Sequence, residues 1–245
     1  MVNFDDKQVL TSWGVNADAW TNAIKNQEIE SRRLVTNQAI IDAITCYNPR
    51  NVLDMGCGEG WLVRELTNRG IAAIGLDATP ELIANAKILG GEFYVVSYED
   101  ICLGNFEYMS VDAIAFNFSL VGKEAVEGVI EVTKRYLSTF GNIFIQTVHP
   151  LIATGELPYQ DGWRIETWDG FGSQFVPSPW YFRTLDSWVN LLVKSGFNIL
   201  ECREPINPKT QKPASLILMA QVAVRARYIV PLQIPWDNEK PFVEG

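Results

Sequence analysis

The sequence predicts an α/β fold in which helices cover both faces of a mostly parallel sheet, and three observations support that prediction. Apolar runs of strand length alternate with helical segments over residues 51–148. A glycine-rich turn from Gly56 to Gly60 joins the first apolar run to a helix. The second apolar run ends at the carboxylate of Asp77. A strand, a glycine turn, a helix and a second strand ending in an acid form a nucleotide-binding half-site.

The first strand and its turn set the local geometry of this half-site. The run from Val52 to Met55 suits a strand that is covered on both faces of a parallel sheet. The glycines at 56, 58 and 60 allow positive φ and leave no Cβ between the backbone and a ligand. Apolar residues then recur at helical spacing from Trp61 to Asn68. These residues therefore predict a strand, a tight turn and a helix in succession.

The second strand brings an acid to the same edge of the sheet. Residues 71–76 predict a buried strand, and Asp77 follows them at its carboxyl end. Open α/β sheets bind their ligands at that edge. Asp77 also follows the glycine turn by roughly the 20 residues that are typical of an acid binding a ribose. We therefore expect Asp77 to bind the ribose hydroxyls of a nucleotide.

A dinucleotide-binding dehydrogenase fold is the alternative interpretation of this pattern. The glycines here run G-x-G-x-G, whereas the dinucleotide fingerprint is G-x-G-x-x-G, in which the third glycine packs the helix on the strand. Trp61 occupies the position of that third glycine. Asp54, two residues before the turn, suits a ligand with an ammonium group better than a pyrophosphate. The sequence thus disfavours the dinucleotide interpretation.

The segment Val52-Leu-Asp-Met-Gly-Cys-Gly-Glu-Gly60 resembles the first motif of the class I S-adenosylmethionine-dependent methyltransferases, and Asp77 resembles the acid of their second motif. The resemblance covers roughly residues 30–222 and implies S-adenosylmethionine as cofactor and S-adenosylhomocysteine as product. It implies a Rossmann-like class I methyltransferase fold, whose seven-stranded, mostly parallel sheet has an antiparallel last strand. Residues 180–191 resemble the small-molecule branch that includes ubiquinone-biosynthesis-type methyltransferases.

The remaining elements follow in the order that this family implies. Thr79 is the expected N-cap of a helix that extends to Lys87, with Pro80 in its first turn. Further strands are predicted at 93–97, 111–120, 142–148, 198–203 and 215–224, and further helices at 123–137 and 184–195. We expect a single domain over 1–245, with an N-terminal helical cap at 1–45, a cofactor half at 46–149, an insertion at 150–183, a C-terminal unit at 184–224 and a tail at 225–245.

The resemblance assigns the cofactor contacts to particular residues. Asp54 and the turn should hold the methionine moiety, Asp77 the ribose, and Tyr98 with Glu99 the adenine side. Arg32 is the candidate partner of the cofactor carboxylate, with a solvated helix face as the alternative. Asn117 lacks the N-P-P-Y-like context of amino-methyltransferases and is assigned to the cofactor instead. The predicted cofactor-binding residues are Arg32, Asp54, Gly56, Cys57, Gly58, Gly60, Asp77, Ala78, Tyr98, Glu99 and Asn117.

The insertion at 150–183 is the predicted acceptor site. It is far longer than the roughly 2–6 residues of an ordinary connection in such folds, and loops of that length are usually functional. Its aromatic residues should cover either a substrate or the protein's own core. Arg164 and Arg183 are candidates for orienting an acidic acceptor, with surface positions as the alternative. The predicted substrate residues are Tyr159, Trp163, Trp180, Tyr181 and Arg183.

His149 is the only histidine of the chain and directly follows the fifth predicted strand. Because a free imidazole has a pKa of about 6.5, His149 is the natural general base if the acceptor is a hydroxyl. The predicted reaction is a direct in-line displacement, and catalysis would rest mainly on positioning. The alternative is that His149 shapes the end of the strand by hydrogen bonding.

Composition narrows the class of partner. The 245 residues carry a net charge of −9, and no basic run stands out, so no nucleic-acid partner is expected. No stretch reaches the roughly 18 apolar residues of a membrane span, and a cytoplasmic protein is predicted. The four cysteines have no metal-ligand spacing, and no metal is expected. An RNA methyltransferase and a non-catalytic scaffold remain as alternatives, and the acceptor and the oligomeric state stay open.

Overall fold

The structure, a computed structural model, describes residues 4–108, 110–171 and 175–223. The predicted tail at 225–245 lies outside the described residues. Seven strands form the central sheet: β1 Asn51–Met55, β2 Ala72–Asp77, β3 Glu92–Val95, β4 Val111–Asn117, β5 Leu137–Thr147, β8 Phe197–Arg203 and β9 Leu216–Val222. Two further strands, β6 Gly162–Glu166 and β7 Ser178–Phe182, form a separate antiparallel hairpin.

The order of strands in the central sheet is β3-β2-β1-β4-β5-β9-β8. The first five strands in the chain run parallel to one another, and β9 runs antiparallel to both β5 and β8. The predicted seven-stranded, mostly parallel sheet with an antiparallel last strand is therefore confirmed. The chain leaves β1 in one direction toward β2 and reaches β4 on the other side, so the carboxyl ends of β1 and β4 border the crevice in which such sheets bind ligands.

Helices cover both faces of the sheet because each buries one apolar stripe against it. Helices α2 Asn37–Thr45, α3 Trp61–Asn68 and α4 Pro80–Ile88 contribute to the buried cluster on one face. Helices α5 Tyr98–Leu103, α6 Glu124–Val132 and α8 Leu185–Lys194 contribute to the cluster on the other. A short helix, α7 Pro150–Ala153, follows β5. The two clusters give the three-layer architecture that the sequence predicts.

The N-terminal helix α1 Asp6–Lys25 is tied to three other elements. The Asp6 carboxylate accepts the backbone N–H groups of Lys123, at 2.6 Å, and of Ala125, at 2.7 Å, where α6 begins. Asn16 bonds to the β6–β7 hairpin, and Thr21 accepts a bond from Asn85 of α4 at 3.1 Å. A single-turn π-helical segment, Arg32–Thr36, then leads into α2.

The structure differs from the predicted elements most clearly in three places. Strand β5 begins at Leu137, five residues before the predicted start, because Leu137 already pairs with Val111. The helix predicted at 123–137 ends as α6 at Val132 and continues only as a 3₁₀ turn, Thr133–Arg135. Within the insertion, the sequence predicted no regular structure, yet Gly162–Glu166 and Ser178–Phe182 pair as a hairpin.

Candidate active site

A cavity of about 930 Å³ lies at the carboxyl edge of the sheet. Its floor is formed by the residues that follow β1, β2, β4 and β5, and its walls by α1, the π-helical segment, the β6–β7 hairpin and residues 207–214. This volume lies near the top of the range of about 300–1,000 Å³ that ligand pockets span. The cavity is therefore large enough for a nucleotide-sized cofactor and further ligand atoms.

The glycine turn forms the part of the floor next to β1. Gly56 has φ +79°, and its N–H and that of Cys57 both donate to Leu76 O, at 2.7 and 2.9 Å. A Cβ on Gly56 would lie 2.2 Å from Ser119 Cβ and 2.9 Å from Tyr98 Oη. The turn thus requires glycine at this position for both backbone conformation and space.

Asp77 holds the turn from the end of β2. Its Oδ2 accepts the Gly58 N–H at 2.9 Å, and its Oδ1 accepts the Thr79 N–H at 2.8 Å. Burial raises the pKa of Asp77, and these backbone hydrogen bonds oppose that rise. Thr79 is the N-cap of α4 as predicted, but its side chain makes no capping bond to the helix. The carboxylate therefore lines the cavity in a fixed orientation.

Arg32 lies in the same part of the cavity, between two indoles. Its guanidinium carbon is 5.0 Å from the ring centroid of Trp61 and 5.7 Å from that of Trp20. Its Nε donates to Asn37 Oδ1 at 3.1 Å. Arg32 is only 9% exposed, and its Nη2 has no hydrogen-bond partner among the described residues. One donor of a buried guanidinium is thus left free.

Two buried carboxyl groups accompany Arg32. Asp54 is 1% exposed and Glu59 is 4% exposed. The negative charge of each favours the charged form of the Arg32 guanidinium and so raises its pKa, against the effect of burial. Asp54 Oδ1 and Glu59 Oε1 also lack hydrogen-bond partners within the described part of the chain. Because most buried polar atoms in native proteins are paired, three unpaired atoms in one cluster indicate a polar ligand.

Burial and neighbouring charges shift the pKa values in this cluster. Burial, with the carboxylates of Glu59 and Asp77 acting second, raises the pKa of Asp54 to about 8. Burial also raises the pKa of Glu59, while Arg32 opposes the rise. The guanidinium pKa of Arg32 is lowered by burial. A ligand with an anionic group beside Arg32 and a cationic group beside Asp54 and Glu59 would offset the cost of burying these charges.

Four further predicted cofactor residues, of which Tyr98 and Glu99 were assigned to the adenine side, also line the cavity. They are Ala78, Tyr98, Glu99 and Asn117. The Tyr98 hydroxyl is bonded within the protein, to Met55 O at 3.2 Å and Ser119 Oγ at 3.0 Å, and burial raises its pKa. The Asn117 Oδ1 has no partner among the described residues. Ten of the eleven predicted cofactor residues thus line the cavity, and Gly60, the N-cap of α3, does not.

His149 is placed differently. Its imidazole is 3% exposed, and its Nε2 lies 2.6 Å from Glu204 Oε1. Its Nδ1 accepts the Leu151 N–H at 3.3 Å, so the ring caps helix α7. The cavity is lined by Thr147 and Val148 but not by His149. Both ring nitrogens are therefore in contact with protein atoms. This agrees with the alternative that His149 shapes the end of the strand by hydrogen bonding.

The predicted acceptor residues divide into two groups. Trp180, Tyr181 and Arg183 line the cavity, whereas Tyr159 and Trp163 do not. The Tyr159 hydroxyl accepts the Leu185 N–H at 2.9 Å, and the Trp163 ring packs edge-on against that of Tyr181, with the centroids 5.4 Å apart. The structure thus brings only part of the predicted set to the cavity.

The two arginines predicted to orient an acidic acceptor are bonded to the backbone. Arg183 donates to Gly122 O at 2.8 Å and to Lys123 O at 3.0 Å. Arg164 donates to Ala153 O at 2.8 Å and to Pro158 O at 3.0 Å. Their charges are therefore used largely to hold the insertion.

The sequence analysis missed several residues of the cavity. Glu59 was overlooked, although a charged side chain within a glycine turn is a usable signal. Trp13, Trp20 and Trp168 were not among the predicted site residues, although all three line the cavity. Ser119, which bonds to Met55 O at 2.7 Å and supports the turn, carried no local signal.

The described residues lack two features, a cluster of metal ligands and a membrane-spanning helix. No group of three or more histidine, cysteine, aspartate or glutamate side chains is arranged to hold a metal ion in residues 4–108, 110–171 and 175–223. None of the helices in the described part of the chain has both the length and the apolar character needed to cross a bilayer.

Comparison with known families and proteins agrees with this geometry. Residues 52–141, which run from β1 into β5, match the model of a family described as a methyltransferase domain. A protein of Schizosaccharomyces pombe named as an uncharacterized methyltransferase is 24% identical over 178 residues, which are 65% of this chain. The chain covers 64% of that relative's own length.

Solved structures share the fold at low sequence identity. A putative S-adenosylmethionine-dependent methyltransferase from Listeria monocytogenes superposes with a TM-score of 0.61 at 18% identity, over 76% of this chain and 97% of that one. The 1,6-didemethyltoxoflavin-N1-methyltransferase of Burkholderia thailandensis, bound to its substrate and S-adenosylhomocysteine, gives a TM-score of 0.63 at 17% identity. That match covers 91% of this chain and 92% of the Burkholderia protein.

Proposed function

We propose that this chain, whose residues 52–141 are a methyltransferase domain within a class I S-adenosylmethionine-dependent methyltransferase fold, methylates a small-molecule acceptor. One observation carries the proposal. Arg32 Nη2, Asp54 Oδ1 and Glu59 Oε1 are buried beside the glycine turn without partners among the described residues. A free amino acid group carries the complementary charges, and S-adenosylmethionine presents such a group in its methionine moiety.

The cluster fits both ends of that amino acid group. Arg32 would bind the carboxylate through its free Nη2, because a guanidinium donates strong, charge-assisted hydrogen bonds to carboxylates. Asp54 and Glu59 would accept bonds from the ammonium. Trp61 and Trp20 hold the guanidinium between them, so the donor is oriented before the ligand arrives.

The nucleoside would extend along the edge from Asp77 to Tyr98. Each Asp77 oxygen accepts one backbone N–H, and a carboxylate oxygen has a second acceptor site that a ribose hydroxyl can use. Tyr98 would contribute its ring rather than its hydroxyl, which is bonded to Met55 O and Ser119 Oγ. Ala78, Glu99 and Asn117 line the cavity beside it.

Bound S-adenosylmethionine supplies an electrophilic methyl group on a sulfonium. The chain's own contribution is to position an acceptor against that group and to exclude water, because proximity and orientation can supply a large part of the rate. Helix α1 and the β6–β7 hairpin cover the cavity for this purpose. Trp180, Tyr181 and Arg183 are the proposed acceptor contacts from the insertion.

O-methylation with His149 as base is the finer form of this proposal. It requires the imidazole to leave Glu204 and Leu151, to which both of its nitrogens are bonded. Because breaking these contacts costs free energy, the geometry favours catalysis by positioning of the acceptor over proton removal by His149.

The size of the cavity and the charge of the chain favour a small acceptor over a nucleic acid. Long nucleic acids bind to exposed basic surfaces, and this chain has a net charge of −9. The Burkholderia neighbour, a 1,6-didemethyltoxoflavin-N1-methyltransferase, has the same fold.

The proposal is tested by measuring S-adenosylhomocysteine formation from S-adenosylmethionine with separate pools of small amines, phenols and carboxylic acids, and with total RNA as a further arm. We expect turnover with one small-molecule pool, and mass spectrometry would identify the product as the acceptor plus one methyl group. Turnover with RNA alone would replace the small-molecule assignment by the RNA alternative. Tight cofactor binding without turnover in any arm would favour the non-catalytic scaffold.

A further inference from the structure

Three tryptophans form one wall of the cavity, and we refer to Trp13, Trp20 and Trp168 together as the indole pocket. Trp13 and Trp20 lie on α1, and Trp168 lies between the two strands of the hairpin. All three side chains line the cavity and are half-buried. Each indole is therefore partly accessible from the cavity, and indole is the aromatic ring that attracts a cation most strongly.

The three rings of the indole pocket lie in mutual edge-to-face contact. The ring centroids are 5.4 Å apart for Trp13 and Trp20, 5.9 Å for Trp13 and Trp168, and 6.4 Å for Trp20 and Trp168. The corresponding interplanar angles are 87°, 81° and 62°. With the centroids this close, one cation can lie within roughly 6 Å of all three, the range of a cation–π interaction.

The protein fixes Trp168 relative to the two indoles of α1. Asn16, which is 1% exposed, donates to Val176 O at 2.9 Å and accepts the Val176 N–H at 2.8 Å. The Trp168 Nε1 donates to the same carbonyl at 3.1 Å, and Phe175 stacks on the Trp168 ring at 4.5 Å. Asn16 is therefore a positioning residue that joins the two halves of the indole pocket.

A carboxylate lies close to the indole pocket in the chain, that of Glu166, and it also lines the cavity. Glu166 is two residues from Trp168, and its Oε1 accepts the backbone N–H of Trp168 at 3.1 Å. Arg183 is bonded to backbone carbonyls, and Arg32 already lies over the face of Trp20.

We propose that the indole pocket binds an alkylammonium group of the methyl acceptor, so that the substrate class is a small cationic amine. This inference rests on the proposed function, because it assigns the cavity beside the cofactor to the acceptor. Trp20 connects the two sites: its Nε1 lies 3.5 Å from the position of a Cβ on Gly58, and its ring faces Arg32.

Choline and its uncharged isostere 3,3-dimethyl-1-butanol test the proposal without requiring turnover. Each is titrated calorimetrically into the full chain, first alone and then with saturating S-adenosylhomocysteine. We expect choline to bind about tenfold or more tightly than the isostere in both conditions, because a desolvated cation–π site favours the charge by that factor. Equal affinities would overturn the proposal, since the pocket would then be merely apolar.

Two tryptophan-to-leucine variants test whether choline binds at the indole pocket. Trp168→Leu should weaken choline binding about tenfold and leave the isostere nearly unaffected. Trp163→Leu removes an indole from the same hairpin that does not line the cavity, and it should leave choline affinity within about twofold. Titration with S-adenosylhomocysteine reports whether each variant keeps its fold. An unchanged choline affinity in folded Trp168→Leu would contradict the assignment.

The remaining outcomes separate this inference from the proposed function. If S-adenosylhomocysteine binds and choline shows no preference over its isostere, the indole pocket fails while the cofactor proposal stands. If choline is preferred and neither S-adenosylmethionine nor S-adenosylhomocysteine binds, the cation site stands and the methyltransferase proposal fails. If saturating S-adenosylhomocysteine abolishes choline binding, the cation lies in the cofactor pocket, and the acceptor assignment is overturned.

Discussion

The Asp77 carboxylate accepts the backbone N–H of Gly58 at 2.9 Å, so the acid at the end of β2 fixes the turn at the end of β1. Its other oxygen accepts the Thr79 N–H at the start of α4. One side chain thus joins three elements at the point where the proposed ribose would lie. Its removal should affect the ligand contact and the shape of the floor together.

Replacing Asp77 by asparagine should raise the dissociation constant of S-adenosylmethionine about tenfold or more. The change removes the charge that strengthens its hydrogen bonds, and bonds to charged groups contribute roughly 1.5–3 kcal/mol. Isothermal titration calorimetry measures the effect. Asp112→Asn is the control, because Asp112 pairs with Arg50 outside the cavity. Equal affinities of Asp77→Asn and wild type would remove the ribose assignment.

Arg32 and Arg33 provide an adjacent pair with different environments. Arg32 is buried with a free Nη2, whereas the Arg33 side chain is 58% exposed and lies 3.8 Å from Glu30. Arg32→Gln should weaken cofactor binding by about 10- to 100-fold, as expected for the loss of a charge-assisted bond. Arg33→Gln should change it less than about twofold. Calorimetry that finds the same small effect for both variants would contradict the carboxylate assignment.

Gly56 and Gly70 separate backbone strain from steric exclusion. They have nearly the same φ, +79° and +80°, but a Cβ on Gly70 would meet no atom within 4 Å. Gly70→Ala should cost about 1–2 kcal/mol of unfolding free energy from the left-handed conformation alone. Gly56→Ala should cost clearly more, because its Cβ would overlap Ser119. Urea unfolding of both variants tests this, and equal costs would show that the turn has room for a side chain.

Asp54 should give the protein a specific dependence of stability on pH. Its folded pKa is raised to about 8, above the value of about 3.9 in an unfolded chain. The folded state therefore keeps a proton that the unfolded state has lost, and the contribution of Asp54 to stability falls as the pH rises through that window. Unfolding free energies from about pH 5 to about pH 8 should decline less steeply for Asp54→Asn than for wild type. Parallel profiles would contradict the raised pKa.

His149 should act mainly on stability. His149→Asn breaks the contact with Glu204 and the cap of α7, and we expect a loss of about 1–3 kcal/mol in urea unfolding with unchanged cofactor affinity. Glu204→Gln, which alters the same contact without touching the ring, should show a smaller loss in the same direction. A general base would behave otherwise: its removal would lower the transfer rate by about 10²- to 10⁴-fold and leave stability unchanged.

Much of the cofactor half could be predicted from the sequence because its signals are local. The helix predicted at Trp61–Asn68 has the same bounds in the structure, and the strands that precede and follow it differ by about one residue at their ends. Asp54, the glycine turn and Asp77 lie within 24 consecutive residues. The seven-stranded sheet and its antiparallel last strand came from the family resemblance, which carries information that local patterns lack.

The acceptor side could not be predicted in this way because distant residues build it. Asn16 and Val176 are 160 positions apart in the sequence, and their bond sets the position of the hairpin against α1. His149 follows β5 at the carboxyl edge of the sheet, as predicted. Its ring contacts Glu204, 55 residues later in the chain, and does not line the cavity. A sequence pattern predicts where a strand ends, whereas tertiary contacts determine the direction of the side chain that follows it.

The central claim is that the glycine turn and the cluster of Arg32, Asp54 and Glu59 bind S-adenosylmethionine. Its most direct test is calorimetric titration of the full chain with S-adenosylmethionine, S-adenosylhomocysteine and NAD. We expect the first two to bind with dissociation constants on the order of micromolar, about −8 kcal/mol, and NAD to bind far more weakly. A preference for NAD, or no binding of either sulfur ligand by the folded protein, would contradict the account.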